Sequence, residues 1–253
     1  MAQPFVTALM ALAFCVVHLF VGRLRFLETT PRSAWLSFAG GVAVGYVFLH
    51  IMPEIGAHGR TFEQATGYNE LLAEAMVYTV ALAGLVLFYG LERAIVNSRG
   101  QEESAADQHG GGRRPEPGIF WVHIAASALL VLIVAYLLNH REQSGLASLA
   151  LFFGALLLHF VTADFASRGH FPEIYDRQAR WVLVGATLAG WALGMAFEMP
   201  QIVIACLFAF VAGGMVLIAI KEELPEQRQS SFVPFLLGAG LYAVLVMGEY
   251  AIG

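Results

Sequence analysis

Eight apolar stretches divide this chain, at roughly residues 4–22, 34–52, 72–95, 118–138, 147–167, 180–198, 201–220 and 232–252. A helix needs ~20 apolar residues to cross the ~30 Å hydrocarbon core of a bilayer, and each stretch meets that length. Lipid forces helices or closed barrels, because every backbone polar group must be satisfied internally. Charged residues make up only 13% of the chain and mean hydropathy is +0.68, whereas soluble domains carry about 25% charge. The expected fold is an all-α polytopic membrane protein, a single membrane domain over residues 1–253. The closely spaced sixth and seventh stretches are separated by Glu198, Pro200 and Gln201, which favour a turn over one long helix. Nothing in the charge pattern invites nucleic acid; the expected surroundings are a lipid bilayer.

Direction follows from Lys and Arg, which concentrate on cytoplasmic loops. Loop one has Arg23, Arg25 and Arg32, and loop three with its border has Arg93, Arg99, Arg113 and Arg114. Loop five has Arg168, Arg177 and Arg180, and loop seven has Lys221 and Arg228. The even loops hold only Arg60 and Arg141. Eight spans with both termini outside account for this asymmetry, in a plasma membrane or a bacterial inner membrane. The first stretch has no basic residue before it, so it reads as a span and not as a signal peptide. Residues 97–117, NSRGQEESAADQHGGGRRPEP, form a polar, Gly- and Pro-rich stretch expected to be a disordered cytoplasmic loop, with His109 solvated in it. Cys15 and Cys206 lie in apolar runs and read as small hydrophobes.

The second and seventh spans resemble each other. SFAGGVAVGYVFLHIMPE ends at Glu54 and AFVAGGMVLIAIKEELPE ends at Glu226. Without a gap, Phe38 matches Phe210, Gly41 matches Gly213, and Pro53-Glu54 matches Pro225-Glu226. The two spans run in opposite directions. An inverted repeat of helices 1–3 and 6–8 around helices 4 and 5 is the expected arrangement, 3 + 2 + 3, and transporters with such repeats bind substrate between them near mid-membrane.

Helices four and five carry unusual polar residues. His123 and Ser127 are four apart and share a helix face. Helix five, within LLLHFVTADF, holds His159, Thr162 and Asp164. Counted from the cytoplasmic ends, His123 is level with Asp164 and Ser127 with His159. An intramembrane carboxylate costs ~2.5–3.5 kcal/mol on insertion scales and marks a functional candidate. His159 and Asp164 are five apart, ~140° around an ideal helix, so a partner helix is needed to complete any ion site. Asp164 also has Arg168 as its i+4 neighbour. At the other membrane border, His50 and Glu54 form a candidate outer access site, with Glu74 near it. His18, Glu222, Glu223 and Glu249 read as interfacial residues touching water.

At these residues the chain resembles the ZIP family of divalent metal transporters. The resemblance covers nearly the whole chain: eight spans, opposed helix triplets, a polar third cytoplasmic loop, the second helix ending HIMPE, and the seventh reading AFVAGGMVLIAIKEELPE. The family's fourth helix carries His-Asn-x-x-Asp; here the matching positions are His123, Ile124, Ala125, Ala126 and Ser127. Its fifth helix carries a His-Glu-x-Pro-His-Glu run; here it is His159, Phe160, Val161, Thr162, Ala163 and Asp164. The acid expected within the sixth helix is absent before Glu198. The metal motifs are therefore degenerate.

The resemblance implies transport of a divalent metal as substrate, zinc, iron(II) or manganese(II), with no cofactor and no enzyme activity. His123, His159, Asp164 and Ser127 are the candidate metal residues. Imidazole and carboxylate suit such ions, but this set serves one ion and not the family's two-metal centre. A homodimer is admitted. Two alternatives stand beside transport: a ZIP-fold protein that has lost transport and acts as an interaction or sensing module, and a zinc-dependent membrane hydrolase using the same residues with Ser127 assisting.

Overall fold

The computed structural model describes residues 2–24, 34–109, 117–140, 145–170, 172–223 and 231–252. Those residues are helical almost throughout, and none of them forms a strand. The helices are α1 (Ala2–Phe20), α2 (Ala34–Tyr46), α3 (Met52–Thr66), α4 (Glu70–His109), α5 (Pro117–Leu137), α6 (Leu146–His170), the one-turn α7 (Pro172–Ile174), α8 (Arg180–Ala196), α9 (Gln201–Glu223) and α10 (Phe232–Ile252). Seven helical units among the described residues are long and apolar enough to cross a membrane, and Gln201–Leu217 is a shorter apolar helix that supplies the eighth. α2 and α3 together make the second span, and α7 with α8 the sixth. The expected all-α polytopic fold is therefore what the chain adopts.

Two wide turns interrupt the spans. A π-helical turn at Val47–Ile51 joins α2 to α3. Pro53 follows at the start of α3; it has no N–H to donate, so the preceding turn loses one ladder bond and widens. α3 continues to Thr66, well past the expected end of this span, and stops where Gly67 turns left-handed (φ 72°) and donates to the Glu63 carbonyl at 2.8 Å. The second π-helical turn, Tyr175–Ala179, lies before α8. The segment expected as a disordered loop, 97–117, is helical as far as His109, through Glu102, Glu103, Ala105 and Ala106, all good helix formers. Residues 110–116, where Gly110, Gly111 and Gly112 fall, lie outside the described residues.

The inverted repeat appears as equivalent packing. α2 packs most extensively on α10, and α9 on α4. If span two corresponds to seven and span three to eight, these are the same contact. The residues agree. A methyl on Gly41 would overlap the Phe235 carbonyl and press on Ala239; one on Gly213 would overlap the Ala81 carbonyl and press on Leu85. In return, Gly238 abuts the Phe38 carbonyl and Gly84 abuts the Phe210 carbonyl. One constant offset aligns Phe38 and Gly41 with Phe210 and Gly213; another aligns Ala81, Gly84 and Leu85 with Phe235, Gly238 and Ala239. Small residues let backbones close in lipid, where no hydrophobic force drives helices together.

The helices sort into two packed groups. α2, α3, α4, α9 and α10 form one; α1, α5 and α8 form the other, and α6 bridges them, packing on both α2 and α1. The second is stapled by polar bonds at its termini-bearing end. Thr7 Oγ1 donates to Asn139 Oδ1 at 2.8 Å, and Trp191 Nε1 donates to Thr7 Oγ1 at 3.2 Å. Tyr136 OH donates to the Phe197 carbonyl at 3.3 Å and accepts from the Met199 N–H at 3.1 Å. α2 against α6, α4 against α5 and α5 against α9 join the groups.

Candidate functional site

Asp164 sits on α6, 5% exposed, and its partner is neither of those expected. His18 on α1, fully buried, places Nδ1 2.6 Å from Asp164 Oδ2. The wholly buried Tyr175, from the second π-helical turn, reaches the His18 carbonyl at 3.4 Å and also faces Asp164. Arg168 is committed elsewhere: its Nε and Nη2 grip Asp176 at 3.0–3.2 Å. A Cβ on Gly22 would strike that guanidinium, so the 3-10 turn Val21–Arg23 that follows α1 runs directly beneath it.

His123, half-buried, lies 3.2 Å from Ser167 Oγ and not against Asp164. The expected pairing of His123 with Asp164 is thus replaced by two separate partnerships, because α5 and α6 make little direct contact and Asp164 is met from α1 instead. His159 itself is 3% exposed, with Phe160 beside it. Thr162 donates back to the His159 carbonyl at 2.8 Å, a local bond within the helix. Among the described residues, no group of three His, Cys, Asp or Glu is gathered closely enough to hold a metal ion.

The reason lies on α1. Phe14 and His18 are four apart, as are Phe160 and Asp164. Phe14 meets Phe160 edge-on at 4.9 Å, His18 lies 5.4 Å from the same ring, and His18 binds Asp164. Two i,i+4 ladders interlock. Phe160, at a position where the resemblance leads one to expect a ligand, is apolar filling. His18, expected to touch water, is the residue that sequence reasoning missed. The matched spacing of aromatic and polar positions on the two helices was its only signal.

On the opposite end of the bundle, His50 and Glu54 are buried, 1% and 4% exposed, and not at a water interface. His50 Nε2 stands 3.5 Å from Glu54 Oε2. His50 stacks on Tyr46 at 5.3 Å. His58, one turn beyond Glu54, is equally buried, with its ring 5.0 Å from Phe208. His50, Glu54 and His58 therefore form a buried file along the second span.

The chain is similar to the zinc transporter ZIP13 of three mammals. Identity is 29% over 239 residues with the Mus musculus protein, covering 79% of this chain and 65% of that one. It is 28% with the Homo sapiens protein, over 78% of this chain and 65% of that one. The Rattus norvegicus protein matches at 28%, with 64% of its length covered. The chain thus spans a little under two thirds of the length of these relatives. No family model and no solved structure matches it.

Proposed function

We propose that this chain is a divergent member of the ZIP family and carries divalent metal ions of the zinc, iron(II) and manganese(II) class across a bilayer. The observation behind this reading is the set of buried imidazoles and carboxylates inside an apolar bundle: His159, Asp164, His50 and Glu54 are each at most 5% exposed. Such groups are costly in lipid and line ion routes where they persist. Metal would pass between the two helix groups, meeting His50 and Glu54 on one side and His159 and Asp164 on the other. His123 and Ser127 would flank the latter. A plasma-membrane or bacterial inner-membrane location, with both termini outside, and a homodimer belong to the same reading. The relatives bear transporter names, which supports transport over the hydrolase alternative.

The test is flux into proteoliposomes loaded with a fluorescent chelator. Wild type is expected to admit at least one of zinc, iron(II), manganese(II) or cadmium, and the His159→Ala, Asp164→Ala double variant to admit none. Absence of flux for all four ions in wild type would reject the reading.

A second reading has one observation in its favour. Asp164 is bound to His18 and His123 to Ser167, so the expected ligands are dispersed. A ZIP-fold module that has lost transport accounts for that dispersal. It requires the wild-type flux to be nil while the fold is intact.

A further inference from the structure

We propose that Glu54, His58 and His140 form a binding site for a divalent cation at the termini-bearing end of the bundle. The proposal rests on the transport reading for its purpose, not for its chemistry. The three side chains line one cavity, and they reach it from α3 and from the turn that follows α5. The cavity has room for about one water-sized particle, and a bare divalent metal ion is smaller than that.

Glu54 and His58 come from α3. They are four residues apart, ~40° around the helix, so they share a face. His140 enters from the far side, just beyond the end of α5. Its Nε2 lies 2.7 Å from the Gly194 carbonyl. A carbonyl oxygen only accepts, so Nε2 carries the hydrogen and Nδ1 presents a lone pair. The ring stacks on Tyr136 at 4.6 Å and 18°, which fixes its plane. A carbonyl holding one imidazole nitrogen while the other is presented is the arrangement that orients metal-binding histidines.

Two imidazoles and a carboxylate suit zinc and its neighbours in the first transition row. The three groups do not yet surround one point; a bound ion would draw Glu54 and His58 toward His140 across the cavity. The floor is apolar. Leu137, Phe152 and Phe208 separate this cavity from a second one, deeper between the helix groups, that they also line. An ion taken up here would therefore be held above an apolar barrier.

Cobalt(II) is the probe, because its visible bands report coordination. The full chain in lipid nanodiscs is titrated with cobalt(II), beside Glu54→Gln, His140→Gln and the control Asp176→Asn. Wild type should show one saturating band, each site variant should weaken binding about tenfold or more, and the control should match wild type. X-ray absorption at the cobalt edge should show one imidazole fewer in His140→Gln, a readout independent of affinity. Wild type without a saturating band overturns the site, as do wild-type affinity and imidazole count in His140→Gln. Flux with unaltered cobalt binding in both variants removes this site and keeps the transport reading. Cobalt bound as expected with no flux keeps the site and removes that reading.

Discussion

The two helix groups are closed by different means. In α2, α4, α9 and α10, glycines bring backbone against backbone at Gly41, Gly84, Gly213 and Gly238. In α1, α5 and α8, with α6 bridging to them, glycines such as Gly190 also allow approach, but side-chain polar bonds span the helices: His18 to Asp164, Thr7 to Asn139, Trp191 to Thr7, and His140 to the Gly194 carbonyl. Shape holds the first group whatever the ionic surroundings. The second is held in part by groups that metal ions or water compete for. On the proposed transport reading, that division lets the polar group answer a change in its surroundings while the glycine-packed one stays constant.

The largest effect should come from the buried pair. Asp164→Leu leaves His18 without its partner at 2.6 Å. Breaking one side of a buried polar pair costs about 3 kcal/mol or more, whereas replacing both sides with apolar groups is often neutral. Thermal unfolding in detergent should show a large loss for Asp164→Leu. Most of it should return in the His18→Phe, Asp164→Leu double variant. A harmless single substitution would mean that the polar group does not depend on this pair.

The glycine-packed group should respond by overpacking. Gly41→Val and Gly213→Val each force a side chain into a carbonyl of the neighbouring helix, Phe235 or Ala81. The expected loss is about 1–3 kcal/mol for each. The two positions are equivalent in the repeat, so the losses should be similar. A loss in only one of them would break the equivalence of the two seams.

How far the sequence foretold this molecule depends on the scale of the feature. Helix number and the register of Gly41 with Gly213 were legible, because apolar length and repeated small residues are local signals that lipid amplifies. The partner of Asp164 was not. His18 lies near the end of its span in sequence and so looked exposed, but the turn carrying Tyr175 folds over it and leaves both buried. His123 missed Asp164 because the sequence does not say which helices are neighbours: α6 packs on α1 and α2, and hardly on α5. Glu54 looked interfacial for the opposite reason: α3 runs on to Thr66, so the membrane-border position expected for this residue is inside the bundle.

A smaller effect separates the polar staples from the buried pair. Asn139 accepts from Thr7 and approaches the Trp191 carbonyl with Nδ2 at 3.4 Å. Each such neutral bond is worth about 0.5–1.5 kcal/mol net. Asn139→Ala should therefore cost about 1–2 kcal/mol in the same unfolding measurement, less than Asp164→Leu. A loss as large as that of Asp164→Leu would make the network, and not the pair, the main tie of this group.

The smallest effect belongs to Arg168 and Asp176. Their geometry is good, with two guanidinium nitrogens on one carboxylate, and bidentate pairs are the stronger kind. Their side chains, however, are 25% and 40% exposed. Solvent screens such pairs, and exposed ion pairs typically contribute about 0.2–1 kcal/mol. Asp176→Asn should lower stability by no more than about 1 kcal/mol, and the difference from wild type should shrink further as salt rises. If the loss is larger and independent of salt, Arg168 is acting through its packing beneath the pair, where Gly22 passes against the guanidinium, and the turn after α1 joins His18 as a contact that holds the polar group together.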